Sequence, residues 1–192
     1  PFEMLDDLGP SWFAAKVSEE GLKVPPLLEK VGEDKFYKVQ GKDVLYFSTE
    51  LNYAKLVKPE GYLTASDVKR GQDPKFRNSS ASLWDMGDDI LLIEFHSKMN
   101  SMDPLIMEAI TEAVDFCEKG IFQGVVIGND GTNFSAGANL GLSTFVANVG
   151  AWDEAEKFVF GGQVAFMMLK HGNFPVVGAP SGLAIGGGCE VL

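Results

Sequence analysis

The sequence predicts an α/β fold, a parallel β-α-β crossover with further helices, preceded by a short, mainly helical segment. Three observations carry this expectation. "DDILLIEFHS" (88–97) is an apolar run of strand length, and "GVVIGND" (124–130) is a second, wholly apolar strand. Between them, "MNSMDPLIMEAITEAVDFCEKG" (99–120) is an amphipathic helix with Asp103 as N-cap, Pro104 at its first position and Gly120 as its stop. A strand, a helix and a strand in that order need a crossover, which makes the strands parallel.

The remaining elements follow along the chain. "SWFAAKVSEEGLKVPPLLEKVG" (11–32) has helical spacing through Val17, turns at Gly21 and restarts after Pro25 and Pro26. "FYKVQGKDVLYFS" (36–48) alternates around Gly41 and reads as a hairpin. The polar stretch after Lys58, rich in Gly, Pro and Ser, reads as a linker. The expected division is therefore 1–57, a linker over 58–80, and a second region over 81–192. Beyond the crossover come the loop "GTNFSAGANLG" (131–141), a helical stretch through Val149, a longer helix from Trp152 to Lys170, and a last strand, "PVVGAPSG" (175–182), that runs into glycines.

Composition narrows the function classes. The chain has 192 residues, of which 45% are hydrophobic and 22% charged, an ordinary globular balance. A formal net charge of -11 argues against nucleic acid or an anionic membrane surface as partner, because both attract a basic face. No apolar run approaches the roughly 20 residues of a bilayer span. The two cysteines and two histidines fall in no metal-ligand or disulfide spacing, so no metal is expected and a reducing compartment, the cytoplasm, fits best. The first residues carry no initiator methionine and no signal-peptide pattern, the expectation being a piece of a longer polypeptide.

Two loops stand out chemically. "FSAGAN" follows the strand at Val125 to Ile127, and "GLAIGGGCE" follows the strand at Val176 to Ala179. Loops at the carboxyl ends of neighbouring parallel strands lie side by side, and ligands bind in that crevice. Small residues let a ligand approach the main chain, and a helix opening near Gly187 leaves its first amides without internal partners. One free amide from each loop would make an oxyanion hole, each donor contributing about 2.7 to 4 kcal/mol to an enolate-forming step. Glu190 lies within reach to add or remove a proton. Glycine runs after strands also serve as tight turns, and Glu190 also suits the first turn of a helix as a dipole partner.

At these residues the chain resembles the crotonase family, the enoyl-CoA hydratases and isomerases. "NFSAGANL" resembles its first-loop motif and "PVVGAPSGLAIGGGCEVL" its second, and the likeness runs from about Ala81 to Leu192. The resemblance implies the N-terminal half of a crotonase-like ββα spiral. It implies that the Ala138 and Gly187 amides hold the thioester oxygen of an acyl-CoA while Glu190 serves as a catalytic carboxylate. It also implies substrate contacts at Lys98, Ala136, Asn139 and Leu140, with Lys98 near the CoA phosphates. The alternative for Lys98 is an exposed loop lysine. Asn139 stands where the family usually has aspartate, and the hydratases use a second glutamate at a position beyond Leu192.

"PFEMLDDLG" and "EEGLKVPPLLEKVGEDKFYK" resemble the end of the helical carboxyl-terminal domain of 3-hydroxyacyl-CoA dehydrogenases. The order of the two regions resembles the fused bacterial 3-hydroxyacyl-CoA dehydrogenase/enoyl-CoA hydratase proteins of fatty-acid β-oxidation. That resemblance implies NAD as cofactor of the parent's dehydrogenase, no cofactor in this segment, an acyl-CoA partner and a homo-oligomer in the intact protein. The segment alone is expected to be inactive or nearly so. An enoyl-CoA isomerase of the same fold and a non-catalytic segment are the alternatives.

Lesser candidates read more plainly. His96 and His171 are expected as turn or surface residues, and Cys189 as a small buried helix residue. Phe158, Phe160 and Phe166 are expected in the core, and by the resemblance near the acyl tunnel.

Overall fold

The N-terminal elements are short because Gly and Pro punctuate the chain. In the computed structural model, which describes residues 2–192, α1 (Phe2–Leu8), α2 (Pro10–Glu19) and α3 (Pro26–Val31) precede a small antiparallel sheet of β1 (Tyr37–Gln40), β2 (Asp43–Phe47) and β3 (Tyr53–Lys55). Gly41, with φ of 61°, makes the expected hairpin turn, and β3 adds a strand that the sequence reading lacked. Leu28, Val31 and Phe36 are the buried centre of this unit, which runs to Tyr62. The Asp6 carboxylate accepts from the Phe36 and Tyr37 amides at 2.6 and 2.8 Å, fixing α1 to the start of β1.

The second unit, Leu63–Leu192, begins inside the expected linker. Residues 63–80 are folded: they carry α4 (Ala65–Lys69) and β4 (Phe76–Arg77), which pairs with β5 (Ala81–Gly87). Two things hold α4. Thr64 and Asp67 form a reciprocal capping box, and Ala65 and Val68 pack with Trp84 and Leu92 on the outer sheet face. The Asp130 carboxylate then accepts from the Ala65 and Ser66 amides at 2.8 and 2.7 Å and from the Ser66 hydroxyl at 2.7 Å.

Burial pushes the Asp130 carboxyl up, but the Ser66 hydroxyl, the two amides and Lys69 outweigh it and hold it below the usual carboxylate range. A depressed folded pKa means that this contribution is complete above about pH 4, near the unfolded value, and fades as pH falls through the lowered one. Hydrogen exchange at the Ala65 and Ser66 amides is expected to speed up in that acid window and, at neutral pH, in Asp130→Ala. The β6 amides are expected to keep their protection, and unchanged Ala65 and Ser66 rates would refute the anchoring role.

The main sheet has the order β4-β5-β6-β7-β9, with β6 (Ile90–Phe95), β7 (Gly124–Gly128) and β9 (Val176–Ala179) parallel. β5 and β6 form a hairpin around Asp88 and Asp89, both at positive φ (51° and 58°), the backbone form that a two-residue turn needs. A turn η1 (Lys98–Asn100) leads to α5 (Pro104–Glu118), the expected crossover helix. The Asp103 side chain accepts from the Ile106 amide at 2.9 Å, Pro104 opens the helix and Gly120 follows its end at φ of 70°.

The core lies between the inner sheet face and α5. Leu83, Leu91, Ile93, Val125 and Ile127 from the strands meet Ile106, Ile110, Ala113 and Val114 from the helix, all fully or almost fully buried. β8 (Asn133–Ser135) and β10 (Leu183–Ala184) form a separate two-stranded parallel ladder. Between them come α6 (Leu140–Asn148) and α7 (Trp152–His171), the latter packing Ala165 and Leu169 into the core. α8 (Gly187–Glu190) closes the described chain segment at the site. Among the described residues no helix is long and apolar enough to cross a membrane.

Candidate active site

The β8–β10 ladder brings the two small-residue loops together. Ser135 is paired with Ala184, and its carbonyl accepts from the Ile185 amide at 3.1 Å. Main chain then meets main chain. A Cβ added at Gly137 would stand 2.8 Å from the Ile185 oxygen and 3.1 Å from the Gly187 nitrogen, and one added at Gly187 would stand 3.7 Å from the Ala138 nitrogen. Gly137 also has φ of 85°, so glycine is required there for both conformation and space.

Met102, which no sequence motif marks, explains why the Ala138 amide has no partner among the described residues. Its amide donates to the Gly137 oxygen at 2.7 Å and its carbonyl accepts from the Asn139 amide at 3.0 Å, a one-residue parallel bridge across Ala138. In such a bridge the central residue turns its own N–H to the opposite side. In the second loop the Gly188, Cys189 and Glu190 amides bond back to Ile185 and Gly186, and the Gly187 amide has no partner among the described residues. With only four residues, α8 adds little dipole, so the donor strength rests on the free amide itself.

Both amides border a cavity of about 600 Å³, a size usual for small-molecule sites. Met102, Met107, Phe158, Phe166 and Ile185 make its walls apolar, while Gln163 and Glu190 are polar groups on its lining. Glu190 is exposed, and among the described residues no hydrogen bond or ion pair ties its carboxylate down. A second cavity of about 270 Å³, between α6 and α7, shares Phe158 and Val159 with the first. The arrangement can offer two fixed donors to one developing oxyanion, beside a carboxylate free to carry a proton and an apolar space for a chain.

Of the residues singled out in the sequence, Ala136, Ala138, Leu140, Gly187 and Glu190 line the cavity. Asn139 does not. It is the N-cap of α6, its side-chain oxygen accepting from the Leu142 amide at 3.2 Å. Lys98 is exposed in the turn whose Met99 carbonyl takes the Ala136 amide at 3.1 Å, next to the loop but outside the cavity lining. Phe158 and Phe166 face the cavity, whereas Phe160 is 64% exposed because it lies on another side of α7, against the expectation of a core residue. Cys189 is exposed rather than buried, since α8 turns its neighbour Gly188 inward instead, while Cys117 is buried on α5 and burial pushes its thiol up. His96 and His171 are exposed, as expected.

Sequence and fold comparisons relate the chain to known proteins. A protein of Bacillus subtilis (strain 168) named "Probable 3-hydroxyacyl-CoA dehydrogenase" is 34% identical over 194 residues, covering 99% of this chain and 24% of the relative. A Rickettsia felis protein bearing the name of a fatty acid oxidation complex trifunctional enzyme is 23% identical over 192 residues, again 24% of its length. The chain thus spans about a quarter of the length of these curated relatives. An enoyl-CoA hydratase/isomerase crystal structure from Xanthobacter autotrophicus Py2 shares the fold, with a TM-score of 0.52 and 21% identity over 60% of this chain and 43% of that one. Residues 85–192, more than half of the chain, match the family described as Enoyl-CoA hydratase/isomerase, and the chain belongs to that family.

Proposed function

We propose that this chain carries the thioester-binding part of an enoyl-CoA hydratase site, within a longer β-oxidation protein that also oxidises 3-hydroxyacyl-CoA with NAD. The observation that carries the reading is the pair of unbonded amides, Ala138 and Gly187, from two loops that touch at the end of one apolar cavity. An α,β-unsaturated thioester with its oxygen between those amides has its C2–C3 double bond polarised toward that oxygen. Addition of water at C3 then puts negative charge on the thioester oxygen, where two preorganised donors stabilise it. Glu190 moves a proton between water and the enolate carbon, together with a second acid supplied by the longer protein.

In this reading the acyl chain lies along Phe158 and Phe166, and the exposed Lys98 meets the CoA phosphates outside the cavity. The isolated chain is expected to bind ligand but turn over little or none. Among the described residues no strand enters a helix through a G-x-G-x-x-G turn, and in this reading oxidation by NAD belongs to another part of the longer protein. The intact protein is read as a cytoplasmic homo-oligomer, and two unpaired cysteines suit that reducing compartment.

Isomerisation is the second reading, because Glu190 is the only carboxylate among the residues lining the cavity and one carboxylate suffices to move a proton between two carbons. Titration of the chain with butyryl-CoA by calorimetry tests the site. Saturable binding below millimolar concentration is expected, and no heat at millimolar ligand would overturn the proposal. Offering the longer protein both crotonyl-CoA and a 3-enoyl-CoA separates hydratase from isomerase.

A further inference from the structure

Ser135 is fully buried and saturated: its hydroxyl donates to the Asn100 carbonyl at 2.6 Å and accepts from the Gly137 amide at 3.1 Å. Three separate pieces of chain meet on this one residue. The first is the turn at Met99 and Asn100, both at positive φ (56° and 52°), which Ser135 fastens through the Asn100 carbonyl. The second is its own loop, where the bond from the Gly137 amide sets the direction in which Ala138 leaves. The third is the glycine-rich loop, which hangs from the Ser135 carbonyl through Ile185 and presses Gly188 against the Ser135 side chain so closely that a Cβ at Gly188 would lie 2.6 Å from the Ser135 Cβ.

Asn100 completes the clamp, donating from its side chain to the Asn133 carbonyl at 2.8 Å. The free amides of Ala138 and Gly187 therefore stand one residue and two residues from the amides of Gly137 and Ile185, which Ser135 holds directly. We infer that Ser135 is a positioning residue that sets the mutual geometry of the two amides, and so decides how strongly the site favours an enolate over a neutral thioester. The inference rests on the proposed oxyanion role of those amides, but it concerns a residue that touches neither substrate nor cavity. Without the hydroxyl, the Asn100 carbonyl loses a donor, the buried Gly137 amide loses its acceptor, and the loop is free to rotate Ala138 away.

The test measures enolate preference apart from affinity, with the full 192-residue chain. Acetoacetyl-CoA is the probe for the enolate, whose absorbance in the near ultraviolet reports ionisation on binding, and butyryl-CoA is the neutral reference. Wild type is expected to bind both and to develop the enolate band. Ser135→Ala is expected to lose about tenfold in the bound enolate-to-keto ratio while keeping its butyryl-CoA affinity within about twofold. A band of wild-type strength in Ser135→Ala would overturn the inference and leave the reading of the site standing. Wild type that binds neither probe, or binds both without an enolate band, would overturn the reading itself and the inference with it. Should Ser135→Ala fail to fold, as judged by circular dichroism, Ser135→Cys keeps the volume with a far weaker donor. An intermediate ratio there is the expected result, and an undiminished one overturns the inference.

Discussion

Glu190→Gln in the longer protein is expected to lower kcat/KM for crotonyl-CoA hydration by about a thousandfold, within the range that a positioned acid-base group supplies, with KM changed only a few-fold. Glutamine has the same size and keeps a carbonyl acceptor, so a ligand meets nearly the same wall, but it cannot exchange a proton near neutrality. The folding cost should be small. Glu190 is exposed and has no partner among the described residues, so neutralising it orphans no buried group there, and a change within about 0.5 kcal/mol is expected. A variant that kept full hydration activity would remove Glu190 from the mechanism while leaving the amide pair untouched. A variant that lost activity and also melted early would instead mark Glu190 as a structural residue.

The parts of this site that were legible in the sequence are the ones governed by local chemistry. Asp103, Pro104 and Gly120 announced the start and end of α5 because caps act within a turn of where they are written. The two small-residue loops announced themselves by composition, and Gly187 and Glu190 lie where that reading put them. What was hidden depends on distant partners. Thr64 and Asp67 spell a capping box, yet the sequence predicts a linker at α4, because five residues are too few for a helix without Asp130, more than sixty positions away.

β5 was hidden for another reason. Ser82 interrupts its apolar pattern and yet is buried, because its hydroxyl accepts from the Trp84 indole at 2.8 Å. The turns at Asp88–Asp89 and Met99–Asn100 take positive φ without a glycine to flag them. Ser135 reads as one more small loop residue, and only the structure gives its hydroxyl two partners.

Gly137→Ala is expected to disrupt the site and the fold together, and its effect can be divided by a control. Two costs coincide at Gly137: a φ of 85°, which an L side chain adopts with strain, and a Cβ 2.8 Å from the Ile185 oxygen, closer than packed carbon and oxygen allow. Gly120 carries the first cost without the second, having φ of 70° and nothing within 4 Å of an added Cβ. Gly120→Ala is therefore expected to lose about 1 kcal/mol and Gly137→Ala about 2 to 3 kcal/mol by urea denaturation, the difference measuring the loop contact. Relief of that contact moves the glycine-rich loop outward, since the obstructing atom is main chain and no rotamer change can clear it. The Gly187 amide moves with it. Loss of one oxyanion donor corresponds to about a hundredfold or more, so the enolate band of bound acetoacetyl-CoA should all but vanish in Gly137→Ala and stay intact in Gly120→Ala. If the two variants behaved alike, in stability and in the band, the close meeting of the two loops would not be what organises the site.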